Sequence, residues 1–131
     1  MQDLVIDAGV LSLHFVSDTK VKRFFDEIET GVARGSISAV NLSEFYYKTC
    51  QKLGKSTADI RYYQVRNTKL AVVETDAELS RVAGLEKCRR ADLSLADCYV
   101  LAAAKRLKAR VLTTDSELAK TKEVKTLLFQ P

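Results

Sequence analysis

Four acids in this chain could meet at one edge of a sheet, and two of them, Asp97 and Asp115, stand where a soluble fold has little structural reason to want a charge. Asp7 closes the apolar run Leu4-Val5-Ile6, and Glu44 lies in the segment NLSEFYY that starts at Asn41. Asp97 is the only charged residue between Leu93 and Ala104, and Asp115 lies just beyond Val111 and Leu112. Two carboxylates about 4 Å apart repel by roughly 4 kcal/mol at an effective dielectric of about 20, and burial adds a desolvation cost. Three or four acids that converge therefore need a cation. An all-oxygen set suits a hard ion, Mg²⁺ or Mn²⁺, which keeps several waters and is completed by substrate phosphate. The one histidine, His14, cannot build an imidazole site. With no histidine to act as base, metal-bound water is the natural nucleophile and a phosphodiester the natural substrate.

Each acid alone also has a plain structural explanation. Acids are favoured in the first turn of a helix, where they meet free N–H groups and the dipole. Asn41-Leu-Ser-Glu44 and Ser94-Leu-Ala-Asp97 both resemble capping boxes, as do Ser56-Thr-Ala-Asp59 and Thr75-Asp-Ala-Glu78. The set carries more than its members. Asp7 ends an apolar strand with no helix expected immediately after it, and Asp97 is isolated among apolar residues.

The elements that must position these acids alternate. Leu4 to Ile6 is a continuous apolar run suited to a strand buried on both faces of a parallel sheet. A helix capped by Ser17 or Asp18 carries Val21, Phe24, Phe25 and Ile28 and stops at Gly31. Ser36 to Val40 reads as a second strand, with Asn41 capping a helix that runs to Gly54 and puts Glu44 in its first turn. Ser56 opens a further helix to Asn67. Leu70 to Val73 is a third strand, and Thr75 caps the helix bearing Leu79, Val82 and Leu85. Ser94 begins a central helix leading to a strand at Arg110 to Leu112, then a helical turn and an edge strand within Val124 to Phe129. The pattern predicts a three-layer α/β/α sandwich around a mainly parallel sheet of four to five strands. Ligands then gather outside the carboxyl ends of the strands, near the point where strand order reverses.

Bulk properties agree. At 131 residues and 47% apolar composition, residues 1–131 are read as one domain with a core of its own. Five glycines and one terminal proline leave no linker. No apolar stretch approaches the ~18 residues of a membrane span, so no membrane partner and a cytoplasmic location are expected. Cys50, Cys88 and Cys98 form an odd set without CxxC spacing, which argues against disulfides and zinc. Against 17 acids stand 21 basic residues, a net charge of +4 that permits a polyanionic partner without demanding one.

In order and separation, VIDAGVL, the acid in NLSEFYY, LSLADCYVLAAAKRL and VLTTD resemble a PIN domain, and in particular the small VapC-like ribonucleases of toxin–antitoxin pairs. The resemblance covers essentially the whole chain. It implies a PIN-like fold, metal-dependent cleavage of single-stranded RNA, a homodimer, and an antitoxin whose segment crosses the acidic cleft and supplies an Arg to a carboxylate. Asp7, Glu44, Asp97 and Asp115 match the family's acidic quartet, as catalytic residues and Mg²⁺ or Mn²⁺ ligands. Thr113 matches its small polar residue two before the last acid, and Ser94 a common helix-start serine. Many members read DTN at the first acid, whereas this chain has Asp7-Ala8-Gly9. A lost supporting hydroxyl and amide of this kind weakens metal binding or activity by roughly 10–100-fold.

Arg89 and Arg90, with Lys87, are near enough to the site in sequence to meet an RNA backbone, against a default of a solvated basic loop. Arg61, Tyr62, Tyr63 and Arg66 form a second candidate surface, with Tyr63 read as packed and Tyr62 as interfacial. Tyr46 or Tyr47 walls the cleft beside Glu44. Lys105, Arg106, Lys108 and Arg110 complement the end of their helix. Two other readings stay open: a PIN-like module that binds RNA or protein without cutting, and an RNA-processing nuclease outside any toxin–antitoxin pair. A phosphatase or phospho-receiver is disfavoured because Asp7 stands alone in its turn.

Overall fold

A computed structural model describes residues 1–130. Five strands, β1 (Gln2–Ile6), β2 (Ala33–Ser38), β3 (Ala71–Val73), β4 (Arg110–Thr113) and β5 (Thr126–Leu128), form one sheet in the order β3-β2-β1-β4-β5. Every neighbouring pair is parallel. The chain builds outward from β1 to β3, then returns to the other side of β1 with β4. The order therefore reverses at β1/β4, and the crevice beyond the carboxyl ends of those two strands is the topological switch point.

Side-chain alternation divides the core into two layers. Leu4, Ile6, Ile37 and Leu112 face α1 (Ala8–Phe15), α2 (Thr19–Thr30), α3 (Ala39–Leu53) and α4 (Lys55–Arg66). Val5 and Val111 face α5 (Ala77–Arg89), α6 (Leu95–Leu107) and α7 (Ser116–Ala119). Helix α6 is buried almost all round from Cys98 to Ala104, which is why that stretch shows no polar stripe. The three-layer α/β/α arrangement agrees with the pattern read from the sequence, and the sheet is wholly parallel. No helix among the described residues is long and apolar enough to cross a membrane.

Several element boundaries differ from the sequence reading. Helix α1 starts directly after Asp7, where a turn was expected. Asp7 is its N-cap, and Asp7 Oδ1 accepts the Val10 N–H at 2.8 Å. The run AGVLSLHF hid this helix because it is short, nearly all apolar and interrupted by Gly9 in its first turn. Strand β2 ends at Ser38, and Ser38 rather than Asn41 caps α3 by accepting the Asn41 N–H at 3.1 Å. Ala39 and Val40 read as strand yet occupy the first helical turn, so Glu44 sits in the second. Helix α4 opens at Lys55 after Gly54, and Asp76 rather than Thr75 caps α5. Asp76 also receives a two-pronged contact from Arg106, both bonds 2.9 Å.

Candidate active site

Asp7 is held from three sides. Its Oδ1 takes the Val10 N–H, and its Oδ2 accepts from the Thr113 hydroxyl and from the Thr114 N–H at 3.1 Å. Its own N–H donates to the Leu112 carbonyl at 3.1 Å, continuing the β1/β4 ladder past the end of the strand. The side chain is thus fixed to the end of β4 before any ligand arrives. Burial pushes the Asp7 carboxyl above its ordinary value. The hydrogen bonds from Thr113, Val10 and Thr114 oppose this in part, and the charge of Glu44 adds to the upward push.

Thr113 is fully buried, and its hydroxyl serves two acids at once. It donates to Asp7 and accepts the Asp115 N–H at 2.9 Å. Asp115 caps α7 through Oδ1, which takes the N–H groups of Glu117 at 2.8 Å and Leu118 at 3.1 Å. Its second oxygen is not used by the cap.

Asp97 stands in the first turn of α6, with its N–H on the Ser94 hydroxyl at 3.1 Å. Its carboxyl is within hydrogen-bonding reach of Asp115. Burial, that hydrogen bond and the charges of Asp115 and Asp7 together push Asp97 up to about 7, against a smaller opposing effect of the Ser94 hydroxyl. Helix α6 is tied to α3 at this point, because the buried Asn41 donates from Nδ2 to the Ala96 carbonyl at 3.1 Å. Glu44 projects from α3 near Asp7 and is half-buried, with Lys48 one turn on at 3.3 Å.

The fold therefore places Asp97 beside Asp115, and Asp7 and Glu44 close enough for their charges to be felt. Among the described residues, no three His, Cys, Asp or Glu side chains are spaced as a ready-made cage for a single ion. The donors are all carboxylate oxygens. Two of the four carboxyls are pushed toward protonation by burial and by one another, with a lysine only at Glu44. That is the donor chemistry that a hard divalent cation satisfies.

The basic residues near the site are mostly committed elsewhere. Arg90 pairs with Glu86 at 3.3 Å and Glu123 at 3.0 Å, and Lys105 bridges the same two acids. Lys87 Nζ donates to the carbonyls of Ala91 at 2.9 Å and Leu93 at 2.6 Å, which fixes the turn into α6. Arg89 ends α5 and is exposed. Tyr62 packs on the core, whereas Tyr63 is 63% exposed, the reverse of the sequence reading. Tyr46 donates to Asp59 at 2.6 Å, so Tyr47 is the ring that lines the groove with Glu44. His14 stacks on Phe25, ring centroids 4.1 Å apart, and burial lowers its pKa.

Sequence reasoning missed Thr114 and Asn41 as supports. Nothing in the spacing marks Thr114, whose contact with Asp7 is through the backbone. Asn41 carried a signal but was assigned to a cap.

A parallel three-layer sandwich whose acids collect at the β1/β4 switch point defines an acid-centred α/β domain. The chain belongs to the PIN domain family, whose model matches residues 4–124. No curated protein matches the sequence. Among solved structures, the fold is similar to VapBC-1 from nontypeable Haemophilus influenzae, with a TM-score of 0.75, 9% identity and coverage of 97% of this chain and 98% of that one. It is also similar to a toxin–antitoxin complex from Klebsiella pneumoniae, with a TM-score of 0.73, 11% identity and coverage of 98% and 99%. A third is Mycobacterium tuberculosis VapC20, a Sarcin-Ricin loop cleaving toxin, with a TM-score of 0.71, 19% identity and coverage of 93% and 98%. At these identities the likeness is one of fold.

Proposed function

We propose that this PIN domain is a metal-dependent endoribonuclease acting on single-stranded RNA, and the toxin of a toxin–antitoxin pair. The observation that carries the reading is that the one buried Thr113 hydroxyl ties Asp7 to the backbone of Asp115 at the β1/β4 switch point, with Asp97 and Glu44 near enough for their charges to be felt. Side chains that only cap helices gain nothing from being driven against one another, whereas a cation centre requires it.

Asp7, Glu44, Asp97 and Asp115 would hold Mg²⁺ or Mn²⁺. When bound, that ion supplies positive charge against the phosphodiester and makes water a better nucleophile at neutral pH. The chain's own residues do the rest. Asp97, pushed up to about 7, gives up its proton as positive charge arrives. Thr113 is a positioning residue that fixes Asp7 and the backbone of Asp115 from within the core. Arg89 is the exposed basic residue that reaches toward the RNA backbone, while Arg90 orders the turn that carries it.

Toxin–antitoxin assemblies among the structural neighbours support an antitoxin partner, and the net charge of +4 supports a polyanionic substrate; the homodimer rests on the family resemblance alone. Incubating the purified chain with a single-stranded oligoribonucleotide and Mn²⁺ tests the activity. Cleavage that Asp7→Asn and Asp97→Asn both abolish, with their thermal transitions retained, is expected; equal cleavage by both variants would falsify the assignment.

Ala8 and Gly9 favour a second reading, a domain that holds RNA or a protein without cutting. RNA binding with no cleavage at any Mn²⁺ concentration would select it. An RNA-processing nuclease outside any toxin–antitoxin pair remains compatible with the same site.

A further inference from the structure

An open groove of about 470 Å³ continues from the acids along α3, lined by Ala39, Val40, Ser43, Glu44, Tyr47, Thr75 and Ala96. It shares Glu44 with the acid cluster, and Ala96 immediately precedes Asp97. Of its lining, Ala39, Val40 and Ala96 are apolar and half-buried, and Ser43 and Thr75 are polar and exposed. Tyr47 lies three residues after Glu44 and so on the same face of α3. Its ring is 46% exposed. The other tyrosines are occupied or remote: Tyr46 hydrogen-bonds Asp59, Tyr62 packs against Tyr46 and the core, Tyr99 is buried, and Tyr63 points outward from α4. Tyr47 has no aromatic partner and no hydrogen bond of its own among the described residues. A tyrosine ring left free beside a polar cleft is available to stack on a ligand face.

We infer that this groove is a nucleobase subsite, in which Tyr47 stacks on the base next to the phosphodiester that would sit at a cation held by Asp7, Glu44, Asp97 and Asp115. The inference rests on the nuclease reading and adds to it the residue that grips the substrate. An aromatic face and an apolar lining suit the flat face of a base. The polar lining beside the acids suits the sugar and phosphate that follow. Because every base has a π-face, the subsite contributes affinity with little sequence preference. Tyr47 is a binding residue here, with no part in the chemical step.

The chain contains no tryptophan, so Tyr47→Trp introduces a single fluorophore at the groove. In the Asp97→Asn background, where cleavage is switched off, a short single-stranded oligoribonucleotide should quench that fluorescence, whereas the same substitution at Tyr63 should respond little. In the otherwise native chain, Tyr47→Ala should raise KM by about 5- to 100-fold and change kcat far less, and Tyr47→Phe should stay near the native value. A chain that cleaves RNA with Mn²⁺ while Tyr47→Ala leaves KM unchanged overturns the subsite alone. So does quenching at position 63 and not at 47. A chain that neither binds nor cleaves RNA overturns the nuclease reading, and the subsite with it.

Discussion

A β-carbon on Gly9 would stand 2.0 Å from the Thr114 hydroxyl oxygen and 3.1 Å from the Thr114 Cβ. Turning the threonine side chain relieves the first contact but leaves the second tight, so the loop after β4 must give by a few tenths of an ångström. That loop carries the N–H that holds Asp7. The glycine where many VapC-like proteins have asparagine is thus matched by a threonine filling the same space. Gly9→Ala should destabilise the protein by about 1–3 kcal/mol. Adding Thr114→Gly should recover part of that loss, a coupling that thermal melts of the double-mutant cycle would read directly.

The Asp97 carboxyl gives the metal-free protein a definite pH dependence. Its pKa is raised from 3.8 to about 7, so the folded state binds more protons than the unfolded state between those values. The resulting stability is fully present below about pH 4 and is lost as pH rises through about 7. Denaturant melts in EDTA should accordingly show falling stability from about pH 5 to pH 8, and Asp97→Asn should flatten that slope. A native slope of the opposite sign would contradict the raised value.

Thr113 joins two acids through one buried hydroxyl. Thr113→Val keeps the shape but leaves Asp7 Oδ2 and the Asp115 N–H each short of a partner, a cost of about 1–3 kcal/mol. Because the lost hydrogen bond also favours the ionised form of Asp7, the variant should bind Mn²⁺ more weakly, and Thr113→Ser should restore most of it. Binding isotherms of the three proteins separate this from a purely structural effect.

Glu86 is 2% exposed and meets both Arg90 and Lys105, outside the set of four acids. Glu86→Ala strands two cations and should cost about 3 kcal/mol, nearer the low end for a buried pair because Arg90 and Lys105 keep some contact with water and with Glu123. Its cleavage rate per folded molecule should be unchanged. A folded variant without activity would give this network a part in catalysis.

The sequence made the α/β alternation legible because buried parallel strands leave short apolar runs and amphipathic helices leave periodic ones. Leu4 to Ile6, Val111-Leu112 and the helix bearing Phe24 and Phe25 are of this kind. Helix α1 escaped because eight nearly apolar residues have no polar face to reveal a period. The β2/α3 boundary slipped because Ala39 and Val40 suit either state and only the Ser38 hydrogen bond decides. The acids themselves were visible through their isolation. What positions them was not, since the Thr114 N–H to Asp7 and the Asn41 Nδ2 to Ala96 carbonyl contacts each join a side chain to the backbone of a segment distant in sequence. Arg90 likewise showed its charge, but not its partner Glu123, 33 residues away.

On the proposed function, the four carboxylates at the β1/β4 switch point form one divalent-cation centre. Calorimetric titration of the purified chain with Mn²⁺ in two buffers of different ionisation enthalpy tests it without any substrate. Saturable binding accompanied by proton release near pH 7 is predicted, with both features lost in Asp97→Asn. No saturable binding at millimolar Mn²⁺, or binding of equal strength in native and variant protein, would contradict it.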